Sequence, residues 1–211
     1  MDRKKDNISK AVIKRLPKYH RYLQELLENK VDRISSKELS EKIGFTASQI
    51  RQDLNCFGDF GQQGYGYNVE ALYNEIKNIL GLHKKYSMTL IGCGNIGQAV
   101  ANYDNFRKIG FEVENIFDKN PRLIGLKIRG IEVRDVEELE EFLKNSYTDI
   151  GVICVNKENA QGVCDTLVNG GVKGIWNFAP VDLVVPSDVK VEAVYLSESL
   201  LTLSCLLNGD M

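Results

Sequence analysis

The chain has 211 residues, of which 43% are hydrophobic and 27% charged, with a net charge of −2; that is ordinary for a soluble, well-packed protein of one large domain or two modest ones. No apolar run approaches the ~20 residues needed to cross a bilayer, and the N-terminus lacks the apolar core of a secretory signal. Five cysteines without CxxC spacing, Cys56, Cys93, Cys154, Cys164 and Cys205, fit a reducing cytoplasm, and with only His20 and His83 beside them no metal site is expected.

The charge is unevenly placed. Residues 1–67 hold 13 basic against 9 acidic side chains, whereas residues 68–211 hold 14 against 20. The excess peaks in residues 1–21, where Arg3, Lys4, Lys5, Lys10, Lys14, Arg15, Lys18 and Arg21 face only Asp2 and Asp6. A basic arm on an acidic protein suggests a polyanionic partner, although a solvated tail gives the same pattern.

In chain order, Pro17 opens a predicted helix that carries Tyr19, Leu23, Leu26 and Leu27 through about Asn29. A second helix begins at Ser35, where Ser35 and Glu38 form a capping-box pattern, and buries Leu39 and Ile43. After the turn Gly44-Phe45 a third opens at Thr46, with Gln49 completing a second capping-box pattern, and turns Ile50, Leu54 and Phe57 inward. Its other face presents Ser48, Gln49, Arg51, Gln52 and Asn55, groups able to read base edges in a major groove. Two capped helices joined by a short glycine turn form a helix-turn-helix. The aromatics and glycines of residues 58–67 then predict a β-hairpin wing. Tyr65 and Tyr67 either pack on the domain or reach DNA. Lys10, Arg15, Gly64 and the two tyrosines join the helix face as candidate DNA-binding residues.

Asn68 caps a predicted linking helix that carries Val69, Leu72, Ile76, Ile79 and Leu80 and closes at Gly81. Next comes a buried strand, 88–91, and at once Gly92-Cys93-Gly94-Asn95-Ile96-Gly97. This is GxGxxG with a strand before it and a helix after it. Gly92 permits the tight turn, Gly94 the approach of a pyrophosphate, and Gly97 close helix–strand packing, with the phosphates at a helix N-terminus. A second strand, 113–117, ends at Asp118, 21 positions after Gly97, where a carboxylate accepts adenosine ribose hydroxyls and repels a 2′-phosphate. That favours NAD(H) over NADP(H).

The remainder alternates. A short strand at 131–133 precedes an acidic helix at 136–143; a buried strand at 150–155 precedes a helix with Ala160, Val163, Leu167 and Val168; another strand runs from 174 to 179 and ends at Pro180. The expected fold class is α/β, a Rossmann doubly wound parallel sheet preceded by a winged-helix DNA-binding domain. The expected domains are 1–80 for the winged helix and connecting helix, 81–194 for the Rossmann domain, and 195–211 for a C-terminal dimer helix. Ligands sit at the carboxyl ends of such strands, which makes Asn156 and the Phe178-Ala179-Pro180 turn candidates for the nicotinamide end, with core and turn roles the alternative for Phe178 and Pro180; Val155 is a further candidate for binding the cofactor. The last helix carries Leu196, Leu200, Leu201, Leu203, Leu206 and Leu207 nearly all round and needs a partner to bury it. Both histidines precede the nucleotide domain and no Ser-Tyr-Lys set is evident, so no catalytic residue is assigned. A dehydrogenase and a CoA-binding protein are the rival readings.

IRQDLNCFGDFGQQGYGYNV, IGCGNIGQA, FDKN and NFAP, in this order from about Ala11 to Leu207, resemble the Rex family of bacterial redox-sensing transcriptional repressors. The resemblance implies a cytoplasmic homodimer whose C-terminal helix inserts between the two domains of the other subunit. It implies binding to an A/T-rich inverted-repeat operator, release by NADH, and NAD+ competing at the same site. Gly92, Gly94, Asn95, Ile96, Gly97 and Asp118 would then hold adenosine and phosphates, Tyr103, Phe178 and Pro180 would lie near the nicotinamide, and Ser48, Gln49 and Arg51 would read DNA. The chain departs from many members at Gln62-Gln63 and Gln52, where they carry basic residues, and at Tyr195, where they carry an aspartate.

Overall fold

The computed structural model describes residues 9–57, 61–62 and 65–209. The chain divides into two compact units, Met1–Lys84 and Lys85–Met211.

In the first unit, α1 spans Lys10–Glu28 and starts seven residues before the expected Pro17. Ser9 caps it by accepting from the Val12 amide at 3.3 Å, and Val12, Leu16, Tyr19 and Leu23 form its buried stripe. Pro17 lies inside the helix on the exposed face. The carbonyl that it deprives of a donor belongs to Ile13, itself 47% exposed, a position where the loss of one helix bond costs least. A short strand, β1 (Arg33–Ile34), leads to α2 (Ser36–Ile43) and α3 (Ala47–Asn55). The Ser35 box closes in both directions, Glu38 N to Ser35 Oγ at 3.1 Å and Ser35 N to Glu38 Oε2 at 2.8 Å. At Thr46 only the forward bond forms, from Gln49 N at 3.1 Å; the Gln49 side chain goes elsewhere.

Strands β2 (Gly61–Gln62) and β3 (Gly66–Asn68) complete a three-stranded sheet in the order β1-β3-β2, antiparallel throughout. The wing is therefore a hairpin whose second strand also pairs with β1. Tyr67, offered both to the core and to DNA, is core: strand alternation turns it inward, and it is 8% exposed. Asn68 caps α4 (Val69–Ile79) by accepting from Ala71 N at 2.8 Å. Val69, Leu72 and Ile76 join Leu16, Leu39 and Ile50 in one core.

The second unit holds β4 (Tyr86–Ile91), α5 (Asn95–Ala101), α6 (Asn105–Lys108), β5 (Phe111–Asp118), β6 (Lys127–Ile128), β7 (Ile131–Asp135), α7 (Leu139–Asn145), β8 (Ile150–Ile153), α8 (Lys157–Asn169), β9 (Gly174–Asn177), β10 (Lys190–Ala193) and α9 (Leu196–Leu207). The order β10-β9-β8-β4-β5-β7-β6 is parallel except for the β6–β7 hairpin. The chain winds outward from β4 in both directions, so the switch point lies between β4 and β8. The acidic helix expected at 136–143 starts as a 3-10 turn, Val136–Glu138, before α7. Strand β10 has no counterpart among the expected elements, because four residues of alternating exposure carry little sequence signal. The strand expected to reach 179 stops at Asn177, whose fully buried amide accepts from Ala179 N at 2.9 Å and donates to the carbonyls of Ala179 and Val181 at 3.1 and 2.8 Å. Those bonds turn the chain out of the sheet.

His20 sits on α1, 8% exposed, with its ring stacked 4.9 Å from Tyr73 of α4 and no partner for Nε2. Burial, and then the charge of Lys77, push its pKa below the ordinary 6.5. The unfolded chain therefore takes up the proton first, and stability falls as pH drops below 6.5. The melting midpoint of the first unit's helices is expected to decline over that range. His20→Phe, which keeps the stack, is expected to flatten the decline; an unchanged pH profile in that variant would exclude His20 as its source.

Candidate functional site

Two sets of residues have the chemistry of sites, one in each unit.

In the first unit the exposed face of α3 carries Ser48, Arg51 and Gln52, with Gln49 half-buried beside them. Arg51 donates through Nη1 to Ser36 Oγ at 3.0 Å, which links the reading helix to the first turn of α2. Lys10 is exposed at the start of α1, and Tyr65 is 70% exposed. Gly64 lies outside the described residues. Arg15 does not project freely as a DNA contact. Its Nε and Nη2 clasp Asp53 Oδ2 and Oδ1 at 2.6 and 2.7 Å. Asp53, 1% exposed on the inner face of α3, also accepts from Tyr19 Oη at 2.9 Å and Gln49 Nε2 at 3.0 Å. Burial by itself would raise the Asp53 pKa; the donors Arg15, Tyr19 and Gln49, together with the Arg15 charge, outweigh it and hold the carboxyl below its ordinary value. A buried charge with four donors is satisfied. No periodicity marks Asp53, since an acid on an inner helix face reads as an exception to the apolar pattern.

In the second unit the chain leaves β4 through Gly92, whose φ of 95° is closed to most side chains. A Cβ there would stand 2.7 Å from the Cys154 carbonyl oxygen. One turn on, a Cβ at Gly97 would collide with the Gly92 carbonyl oxygen. A Cβ at Gly94 would meet nothing within 4 Å, and Gly94 caps α5 without a side-chain bond, so the space beside this turn is open.

Asp118 ends β5 beside this turn, 8% exposed. Its Oδ2 accepts from Cys93 N at 2.5 Å and its Oδ1 from Asn120 N at 2.7 Å. The Cys93 carbonyl accepts in turn from Gln98 Nε2 at 3.0 Å. Gln98 thus locks the glycine loop from the helix side; no spacing rule singles it out. Gly92, Gly94, Asp118, Val155 and Asn156 meet around a cavity of about 440 Å³, and Asn95 and Ile96 stand exposed at the start of α5. Cys154 also lines the cavity. Burial and the Asp118 charge push Cys93 up to about 11, and burial and Cys93 push Cys154 up to about 12, so both are neutral thiols at physiological pH.

Tyr103, Phe178, Ala179 and Pro180 are not part of that wall. Tyr103 and Phe178 end an aromatic row, Tyr103–Phe106–Trp176–Phe178, with centroids 4.6, 5.3 and 4.6 Å apart. Ala179 is fully buried and Pro180 is exposed at the turn held by Asn177. A larger cleft, about 510 Å³, is walled by Met88, Phe106, Ile109, Phe111, Ile150 and Trp176, among others; neither Asp118 nor the glycine turn reaches it.

Gly97→Ala is expected to destabilise the second unit by about 1–3 kcal/mol through overpacking, because the obstructing atom is backbone. A melt within error of the parent would contradict the close approach.

Residues 7–55 match the family model described as "Putative DNA-binding protein N-terminus", and residues 83–181 the model described as "CoA binding domain". The chain is 69% identical over 207 residues to the "Redox-sensing transcriptional repressor Rex" of Clostridium perfringens (strain SM101 / Type A), covering 98% of each chain. It is 70% identical over 208 residues to the protein of that name from Clostridium kluyveri, covering 99% of each. Among solved structures it resembles RSP in complex with NAD+ and operator DNA (TM-score 0.90, 63% identity, 95% of this chain and 93% of that one). RSP in complex with NADH matches with TM-score 0.87 at 59% identity over 96% and 95%. With such identity over nearly its whole length, the chain belongs to the Rex family of redox-sensing transcriptional repressors.

Proposed function

We propose that this protein is an NADH-responsive repressor, acting in the cytoplasm, that binds palindromic operator DNA as a homodimer and is released from it by NADH. The observation that carries the reading is the presence, on one chain, of a capped reading helix and of a cavity where the open Gly94 turn faces Asp118. RSP, similar over nearly the full length, is known with NAD+ and operator DNA and with NADH. We assign Ser48, Gln49, Arg51 and Gln52, with Lys10 and Tyr65, to DNA, and the glycine turn, Asp118, Val155 and Asn156 to the dinucleotide.

The residues fit that ligand. The amides of the Gly94 turn suit a pyrophosphate. Each Asp118 oxygen spends one acceptor position on a backbone amide and keeps another for a ribose hydroxyl. The description of residues 83–181 as a CoA-binding domain favours a second reading. CoA carries a phosphate on its adenosine ribose, which the Asp118 carboxylate would repel. The bound dinucleotide supplies a redox-dependent difference in binding free energy and no turnover. By linkage, NADH and operator DNA lower each other's affinity by one factor, typically about 5- to 150-fold.

Helix α9 supports the dimer. Leu196, Leu200, Leu201, Leu203, Leu206 and Leu207 are 51–78% exposed, and no residue of the helix is buried within the chain. Burying such a helix against a second copy is the way to keep the protein dispersed. At its base Tyr195, in the aspartate position of many relatives, donates to Asp182 at 2.6 Å, so a neighbouring carboxylate still sits there.

Operator binding at fixed salt, titrated separately with NADH, NAD+ and CoA, tests the reading: release by NADH alone is expected, and equal release by NADH and NAD+, or by CoA, would overturn it. Asp118→Ala is expected to weaken NADH by about 1–3 kcal/mol, the worth of a hydrogen bond to a charged group; calorimetry showing unchanged affinity would remove Asp118 from the site. Truncation before Leu196 is expected to yield monomers or aggregates by light scattering, and a stable soluble dimer would place the interface elsewhere.

A further inference from the structure

A glutamine amide that nothing holds can present either end to a base. Gln49 is held. Gln49 Nε2 donates to Asp53 Oδ1 at 3.0 Å, one turn along α3, and the same carboxylate is gripped by Arg15 and Tyr19 of α1. An ionised carboxylate only accepts, so the nitrogen end of the Gln49 amide must face it. The carboxyl is ionised, because Arg15 makes a two-point ion pair with it at 2.6 Å.

One N–H and the carbonyl oxygen of Gln49 then remain for a partner outside the protein. That pair, one donor beside one acceptor, matches the N7 and N6–H₂ edge of adenine. It does not match guanine, whose N7 and O6 both accept and would set an oxygen against the Gln49 carbonyl. Gln49 is the third residue of α3, in the N-terminal stretch with which a helix-turn-helix contacts bases.

We propose that Asp53 is a specificity-determining positioning residue: buried and out of reach of DNA, it fixes the orientation of the Gln49 amide and so commits the reading helix to an adenine at one position of each half-site. Arg15 and Tyr19 serve this role by holding the carboxylate charged and immobile. Arg15, which sequence reasoning places on DNA, thereby acts on readout through Asp53. The inference rests on the DNA-binding reading and goes beyond it by naming the base and the residue that selects it.

The full-length protein can be presented with a duplex library randomised across an inverted repeat, and the bound fraction sequenced. The wild type is expected to select adenine at one half-site position. Gln49→Ala is expected to lower the preference there about tenfold, the worth of one paired contact, with other positions unchanged. Asp53→Asn, whose amide can donate to the Gln49 oxygen as well as accept from its nitrogen, is expected to relax the same position and admit guanine. In the wild type, 7-deazaadenine at that position is expected to weaken binding about as much as Gln49→Ala does, and to have no further effect in that variant. Uniform weakening of all duplexes by Asp53→Asn, with selectivity intact, would overturn the proposal by showing a role in folding alone. Retained adenine preference in Gln49→Ala would overturn it too. Should Asp53→Asn fail to fold, hydrogen exchange of the Gln49 side-chain amide in the wild type carries the same question: slow exchange of the one Nε2 proton held by Asp53 is expected, and both protons exchanging as fast as those of an exposed glutamine would overturn it. If the wild type selects no sequence at all, the DNA-reading proposal itself fails and this one falls with it.

Discussion

Backbone crowding at Gly92 governs the second unit. Three chain segments converge there: the end of β4, the first turn of α5 and the carbonyl of Cys154 at the end of β8. The space is so small that Gly92 and Gly97 both need to lack a Cβ. This approach lets α5 start directly over the strand ends and brings its uncapped amides to the rim of the cavity. Asp118 and Gln98 then clamp the Cys93 peptide from opposite sides, so the loop is preorganised before any ligand arrives. A preorganised anion site costs little ordering on binding. The same crowding buries Cys93 and Cys154 and keeps them as neutral thiols, which leaves redox sensing to the nucleotide in the proposed mechanism.

The first unit is governed by a charge instead. Asp53 is the one acid near full burial among the described residues of that unit, and Arg15, Tyr19 and Gln49 complete its coordination. Such buried pairs contribute less to stability than their geometry suggests, since desolvation offsets most of the attraction. What they can supply is a defined geometry. Here the pair fixes the long helix α1 against the reading helix α3 at a point that leucine packing alone would leave free to slide.

Helix α9 raises a different physical problem. Its leucines find no burial within their own chain, and its base lies beside the turn at Asn177, held by Val194 N donating to the Asn177 carbonyl at 2.8 Å and by the bond of Tyr195 to Asp182. In the proposed dimer a helix so apolar and so exposed becomes half of an interface. The aromatic row from Tyr103 to Phe178 ends at that same turn; in the proposed complex a nicotinamide there would lie next to the base of the dimer helix.

Much of this protein follows from local rules. The capping box at Ser35, the αα turn at Gly44, the glycine spacing, the acid at Asp118 and the leucine helix all depend on residues a few positions apart, and a linear reading finds them. The tertiary structure decided what depends on distant partners. Arg15 looked like a free cation because Asp53 lies 38 residues away. Pro17 looked like a helix start because only packing of Val12 and Leu16 shows that the helix continues past it. Tyr67 was open between core and DNA until its pairing with Ile34 fixed which way it faces. Strand β10 exists because β9 offers it an edge, not because four residues of weak alternation demand it. A short-range pattern records its own hydrogen bonds in the sequence; a long-range contact leaves each half of itself to be read as something else.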